Sequence, residues 1–409
     1  MENSIISKRV SRSTGLKEVF DVIRNESPVS RMKLASLVSV SRATLSGIVY
    51  DLIETGFLQE TGEEASTGGR PAMQLSYQPA GRYAVGVVQY DTQLRATLTD
   101  FEGNPIHSLE KLFYAFQPDA MLHAIADLVN QILAGRQRDR VVGVGVGVPG
   151  LVDFSSGTLE VSASKGWMDG KIPVREVLRQ ALGLPVYVVN RSRAAALGEH
   201  RVGIGKGNHN LIYVFIGQGI AAGIILDGKL FLGSKSSAGE IGHISVVPDG
   251  PLCRCGSQGC LEVYATENAI LATARARLKA DSNNQLNKVL DGKLNLLEIA
   301  DLIQAAHQDN PAALQIFAEA GAKIGLAVSA LINLLDPEIV ILGGPIGSQA
   351  GDVLLRPVIA EVRRRTIARS FAGTRIVTGE LGTEAATVGA AVLAISQTPI
   401  ESVIGPRLH

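Results

Sequence analysis

Residues 30–56 read SRMKLASLVSVSRATLSGIVYDLIETG, and the polar residues of this run mark off two helices. Ser30 precedes Leu34, Leu37 and Val38, and Ser41 precedes Leu45, Ile48, Val49, Leu52 and Ile53, which repeat at helical spacing as far as Gly56. A serine hydroxyl accepts from a backbone N–H that the first turn leaves without an internal partner. Each serine therefore predicts a helix start, and Gly56 a stop. Two capped helices a few residues apart are the sequence form of helix-turn-helix. Upstream, Leu16, Val19, Phe20 and Ile23 form the stripe of a first helix that stops at Asn25-Glu26-Ser27-Pro28, so residues 15–56 predict three short helices. Downstream, apolar runs around Phe57-Leu58 and Met73-Gln74-Leu75 flank the polar, glycine-bearing stretch Thr61 to Gly69, the pattern of a β-hairpin wing. Residues 1–78 are thus expected to form a winged helix-turn-helix DNA-binding domain, with a linker at 79–82.

On the third helix the apolar stripe leaves Ala43, Thr44, Ser46, Gly47 and Tyr50 on the other face, with Arg42 near the N-terminus. Small residues let a helix sit deep in a major groove, and Arg42 can reach a phosphate or a guanine edge. Double-stranded operator DNA is the expected partner, although such a face also suits plain solvation. Over the whole chain Lys plus Arg equal Asp plus Glu at 39 each, which excludes a binder that is basic throughout. Residues 1–50 carry eight basic and four acidic side chains, a modest local bias.

The 409 residues predict two or three domains. The polar start lacks the apolar stretch of a signal peptide, and no segment supplies the run of about eighteen apolar residues that a span needs, so the expectation is a cytoplasmic protein without a membrane. From Tyr83 onward strands alternate with helices. Strands are expected at Val141 to Val148, Val186 to Asn190, Leu211 to Ile216 and Ile339 to Leu342, and helices at Asp119 to Ala134, Pro173 to Leu182 and Pro311 to Leu335, an α/β architecture. The three cysteines, Cys253, Cys255 and Cys260, are an odd number packed into eight residues, which favours a metal over disulfides. With one imidazole they make a closed four-ligand shell suited to structural zinc, and Gly256 and Gly259 let the chain curl around an ion. Buried reduced cysteines are the plainer alternative.

Two stretches carry a resemblance to the ROK family, which unites sugar kinases and sugar-responsive repressors. One is Ala238-Gly239-Glu240-Ile241-Gly242-His243 with Cys253-Arg254-Cys255-Gly256-Ser257-Gln258-Gly259-Cys260-Leu261-Glu262; the other is Val189 to Glu199, beginning Val189-Asn190-Arg191. The resemblance implies an actin-like, two-lobed, ribonuclease H-like body with lobes at 83–190 and 191–409. It implies that His243 joins Cys253, Cys255 and Cys260 around zinc and turns its other nitrogen to a sugar hydroxyl. It also implies that Asn190, Glu240 and Glu262 bind a small carbohydrate. Gly68-Gly69-Arg70-Pro71 resembles the segment after the wing in ROK repressors, where Arg70 suits a narrow A·T-rich minor groove. A homodimer or homotetramer would match two half-sites.

Several positions depart from a ROK kinase. Aligned on Val85-Gly86-Val87, Val88 replaces the phosphate-loop aspartate, and Tyr90 and Asp91 replace its glycines. Arg191 stands where the catalytic base should follow Asn190, and Gln218 where a small hydroxyl residue is expected in the second loop. Neither Val88 nor Arg191 can serve a magnesium ion or accept a proton, so phosphoryl transfer is not expected. The expected function is a regulator, a repressor of carbohydrate-utilisation genes such as those of xylose metabolism, released by a sugar or sugar derivative. A ROK-type sugar kinase with an N-terminal extension is the alternative. Arg191 either faces the cleft, favouring a sugar phosphate or sugar acid, or turns away and leaves a neutral sugar.

Overall fold

The computed structural model describes residues 2–63, 73–90, 92–114, 117–161, 170–280 and 294–404. Arg70 and the glycines and proline around it lie outside them. Both serine caps form. Ser30 Oγ accepts from Lys33 N at 3.3 Å and starts α2 (Arg31–Leu37), and Ser41 Oγ accepts from Thr44 N at 3.2 Å and starts α3 (Arg42–Glu54). Gly56 follows with φ +79°. The helix before them, α1 (Glu2–Glu26), is longer than expected, because no glycine or proline interrupts residues 2–14. The wing strands β2 (Leu58–Glu63) and β3 (Met73–Tyr77) pair antiparallel, and a two-residue strand β1 (Val29–Ser30), too short to show in a periodicity, pairs with β3.

Two five-stranded mixed sheets build the body, and they share one plan. The first runs β10-β7-β4-β5-β6, from β4 (Tyr83–Gln89), β5 (Gln93–Asp100), β6 (Pro105–Leu112), β7 (Val141–Val148) and β10 (Val186–Asn190). The second runs β13-β12-β11-β14-β15, from β11 (Leu211–Ile216), β12 (Ile220–Leu226), β13 (Lys229–Leu230), β14 (Ile339–Gly343) and β15 (Arg375–Thr378). In each, an antiparallel meander opens the sheet and two parallel strands extend it. A small hairpin, β8 (Leu151–Asp153) with β9 (Thr158–Val161), stands apart. Helices α4 (Pro118–Ile132) and α5 (Val174–Leu182) close one face of the first sheet through Met121, Ile125, Leu128, Leu178 and Leu182. The helix Pro311–Leu335 is long and apolar enough to cross a membrane, but Ile316, Phe317, Ile324, Val328 and Ile332 are buried in the second lobe, where it packs on the helix Asp352–Arg365.

Helix α6 (Arg191–Arg201) and the helix Ala385–Gln397 lie against each other. Their backbones touch. A Cβ at Gly389 would lie 1.6 Å from the Ala194 carbonyl oxygen, so only glycine permits this spacing. Ala385–Gln397, near the end of the chain, also packs directly on β4 and β7 of the first sheet.

The winged helix-turn-helix module is fused to this body. Phe20 and Phe57 from the module meet Phe101 of the body edge-to-face, with centroids 5.9 and 4.9 Å away, and Tyr77 joins through Phe20 at 5.7 Å. Ala84, Val142, Ala391, Ala394 and Ile395 complete the same buried cluster. Residues 79–82 are not a loose tether: Gly81 is buried, and a Cβ there would lie 2.1 Å from the Gly56 carbonyl oxygen, while Arg82 donates to the Thr55 carbonyl. Edge-to-face pairs add about 0.5–1.5 kcal/mol each beyond the area they bury.

Phe101→Ala is expected to cost about 3–5 kcal/mol and to split one calorimetric transition into two, the first belonging to the winged module. A single transition at the parent temperature would show that Phe101 does not join the parts.

Candidate functional site

A cavity of about 620 Å³ lies where the ends of β7, β10 and β11 meet the loop that follows β13, and Asn190, Arg191, Phe215, Gln218, Glu240, His243 and Glu262 line it. Asn190 ends β10 and caps α6. Its Oδ1 accepts from Ser192 N at 2.8 Å and Ser192 Oγ at 2.6 Å, while its Nδ2 donates to the Gly150 carbonyl at 2.8 Å. A β-strand running straight into a helix N-terminus thus places an amide, and the free N–H end of a helix, at the cavity wall. Arg191 is buried, with its guanidinium carbon 4.7 Å from the Phe215 ring centroid, a cation–π contact in the cavity wall.

Two carboxylates, Glu240 and Glu262, line the same cavity. Burial pushes the Glu240 carboxyl above its ordinary value; Arg193 and His243 pull it back, and Glu262 adds to the rise. Glu262 Oε1 accepts from Ile220 N at 3.0 Å, which aims the carboxylate while leaving its other oxygen for a ligand. Arg193 is 2% exposed and donates to the carbonyls of Ser236 and Ala238 at 2.7 and 2.9 Å, so α6 also fixes the loop that carries Glu240. Sequence reading missed Arg193 and Phe215. An arginine amid the alanines of α6 was the available signal for Arg193.

His243, Cys253, Cys255 and Cys260 converge, with one ligand atom from each lying within 4.8 Å of the others. Cys253 Sγ is 3.8 Å from His243 Nδ1, and Cys255 Sγ is 3.6 Å from Cys260 Sγ. Metal–sulfur bonds of about 2.3 Å in a tetrahedron put neighbouring sulfurs about 3.8 Å apart, so the donors fit a four-coordinate ion. The Ser257 backbone N–H draws the exposed Cys255 thiol down to about 7, whereas burial pushes Cys260 up, first among its causes. A thiolate thus forms readily at Cys255, whereas Cys260 needs a cation beside it. His243 also lines the cavity, so its ring joins the four donors to the cavity wall.

The residues expected to read DNA lie on one face of α3. Arg42, Ala43, Ser46 and Tyr50 are exposed, and Thr44 and Gly47 half-buried, opposite the buried Leu45, Ile48, Val49 and Leu52. Thr44 Oγ1 bonds to Ser41 Oγ at 2.9 Å and Ser46 Oγ to the Arg42 carbonyl at 2.9 Å, so both hydroxyls are tied to the helix and Arg42 and Tyr50 are its long side chains. At the end of β4, Val88 is fully buried, and the Tyr90 ring is buried with its hydroxyl donating to the Thr383 carbonyl at 2.9 Å. Burial pushes the Tyr90 phenol up to about 12.

Residues 85–397 match the ROK family model. The chain is 29% identical over 399 residues to a xylose repressor of Caldicellulosiruptor bescii, covering 97% of this chain and 98% of that protein. It is 35% identical over 319 residues to a glucokinase of Streptomyces coelicolor, covering 77% and 98%. A crystal structure of a ROK family transcriptional regulator, a homolog of the E. coli Mlc protein, superposes with a TM-score of 0.80 at 26% identity over 96% of this chain and 98% of that one. The kinase match covers 77% of this chain, whereas the other two cover 97% and 96% of it.

Protein purified without chelator is expected to contain about one tightly held metal ion per chain, which Cys260→Ser should release. Elemental analysis finding no metal in folded protein would overturn the assignment.

Proposed function

The chain belongs to the ROK family, and from that premise we propose that it is a sugar-responsive transcriptional repressor of carbohydrate-utilisation genes, acting in the cytoplasm. The observation that carries this reading is the continuous core between a winged helix-turn-helix and a body with a polar cavity. A kinase gains nothing from such a module, whereas a repressor needs both parts in one rigid piece. We read residues 1–78 as the DNA-binding domain, 79–82 as the joint, and 83–190 and 191–409 as the two lobes, with Ala385–Gln397 returning to the first.

In the cavity, Asn190, Glu240 and Glu262 are read as the groups that take the hydroxyls of a small carbohydrate, because carboxylates accept only and an amide can do both. The ion at His243, Cys253, Cys255 and Cys260 is read as structural zinc. Four protein donors leave no open position for a substrate, and the ion would fix the His243 ring so that its second nitrogen faces the ligand. Arg191, stacked on Phe215, supplies a fixed cation for the anionic group of a sugar acid or sugar phosphate; with a neutral sugar it serves as a donor.

Phosphoryl transfer is not part of this reading. The aspartate that a metal–phosphate site needs is replaced by Val88. The Tyr90 ring occupies the turn that must lie open for phosphates, and Arg191 cannot take a proton from a sugar hydroxyl. The similarity to glucokinases reflects the shared body and its sugar-binding segment.

On DNA, α3 is read as the recognition helix, with Ala43, Thr44, Ser46 and Gly47 allowing close approach and Arg42 and Tyr50 making the long contacts. Arg70 is assigned to the neighbouring minor groove, and a homodimer or homotetramer would engage two half-sites.

On an operator fragment selected from a randomised pool, Arg42→Ala should weaken binding by about 1–3 kcal/mol at matched salt; parent-like affinity would show that the reading face is misplaced. With ATP, magnesium and common hexoses or pentoses, sugar phosphate should not form above background. Turnover that disappears in Asn190→Ala would restore the kinase reading.

A further inference from the structure

We propose that Glu102 couples the sugar cavity to the DNA-binding module, with α6 as the rigid link between them; the ligand side of this proposal rests on the function proposed above. Glu102 sits in the turn between β5 and β6, where Asp100 Oδ1 holds its backbone N–H at 2.9 Å. Its carboxylate gathers three elements. Oε2 accepts from Arg24 Nη2 in the last turn of α1 at 2.6 Å and from Arg201 Nη2 at the end of α6 at 3.0 Å, and Oε1 accepts from the Tyr77 hydroxyl at the end of β3 at 2.9 Å. The Glu102 carbonyl also accepts from Arg201 Nε at 3.1 Å. Two arginines from separate parts of the molecule thus share one negative charge.

Arg201 ends the helix that Asn190 caps at the cavity. From Arg191 to Arg201 the helix rises about 15 Å. It is wedged on two sides, by Gly389 against the Ala194 carbonyl and by Gly223 against the Ser192 carbonyl and Ala196. Bending is costly in such a slot, so a change at the first turn moves the helix as one body. The cavity end is well placed to start such a change. The Asn190 amide that a sugar hydroxyl would engage already donates to Gly150, and its oxygen already holds Ser192. Exchanging those bonds shifts the first turn, Arg201 follows, and the shared carboxylate must then leave either Arg201 or Arg24 and Tyr77. Two cations competing for one carboxylate provide discrete alternatives rather than a graded strain. A rival route exists, since Ala391, Ala394 and Ile395 of the helix beside α6 enter the aromatic cluster under the module.

Hydrogen exchange of full-length protein at residues 15–26 and 73–77 separates the two routes. Arg191→Ala, with Ser192→Ala as a second variant should the first fail to fold, is expected to raise exchange there in the parent background. Little further change is expected on Glu102→Gln, which keeps the shape and removes the charge. If the cavity variants reach the module undiminished through Glu102→Gln, or do not reach it at all, the proposal is overturned. With D-xylose as the probe, operator affinity of the parent should fall at least about fivefold, whereas Glu102→Gln should lose this response while calorimetric xylose affinity stays within about twofold. A full response in Glu102→Gln would also overturn the coupling. Absence of xylose binding to the parent would count against the sugar assignment alone, and the exchange result would still decide the role of Glu102.

Discussion

Everything that gives this molecule two communicating ends depends on how closely α6 can lie against the helix Ala385–Gln397. The Ala194 carbonyl occupies the place that any side chain at position 389 would need. With the two backbones in contact, the first turn of α6 reaches the cavity wall, Arg193 reaches the carbonyls of the Glu240 loop, and Arg201 emerges beside Glu102. A separation larger by one methyl group would move all three. Interiors are packed too densely to absorb such a shift locally.

The opposite wall of the cavity has little regular structure of its own. Between β13 and the short helix Glu262–Ala265 the chain runs through turns, one 3-10 turn at Ile241–His243 and a few isolated bridges such as Ser245 with Cys260. Glu240 lies within it, and Glu262 begins the helix that follows it. The four donors that could hold a metal lie between them, so an ion bound there would crosslink a segment with little regular structure. An ion bound there would help fix the positions of both carboxylates, so its loss would loosen the cavity wall through loop rigidity rather than through chemistry at the metal.

What was legible in the sequence was local. Ser30 and Ser41 could be read as caps because a cap acts within three residues, and strands such as Val141–Val148 and Leu211–Ile216 could be read because burial on both faces leaves an unbroken apolar run. The cysteine cluster was legible for the same reason. The features that escaped are contacts between distant residues. Nothing around Pro79 distinguishes a free joint from a packed one; the difference lies in Phe101 and Ile395, far along the chain. Arg24, Glu102 and Arg201 are ordinary surface charges in sequence, and 177 positions separate the first from the last. β1 was too short for any pattern, and the long α1 lacked a breaker where a boundary was expected.

The return of Ala385–Gln397 to the first sheet has a consequence for synthesis. β4 and the winged module leave the ribosome early, but Ala391, Ala394 and Ile395, which complete their shared core, follow roughly 300 residues later, about 15–60 s at ordinary elongation rates. During that interval the aromatic cluster lacks one wall, so the nascent module cannot reach its final stability. A chain that stops before residue 385 would carry the winged module without the residues that close its core.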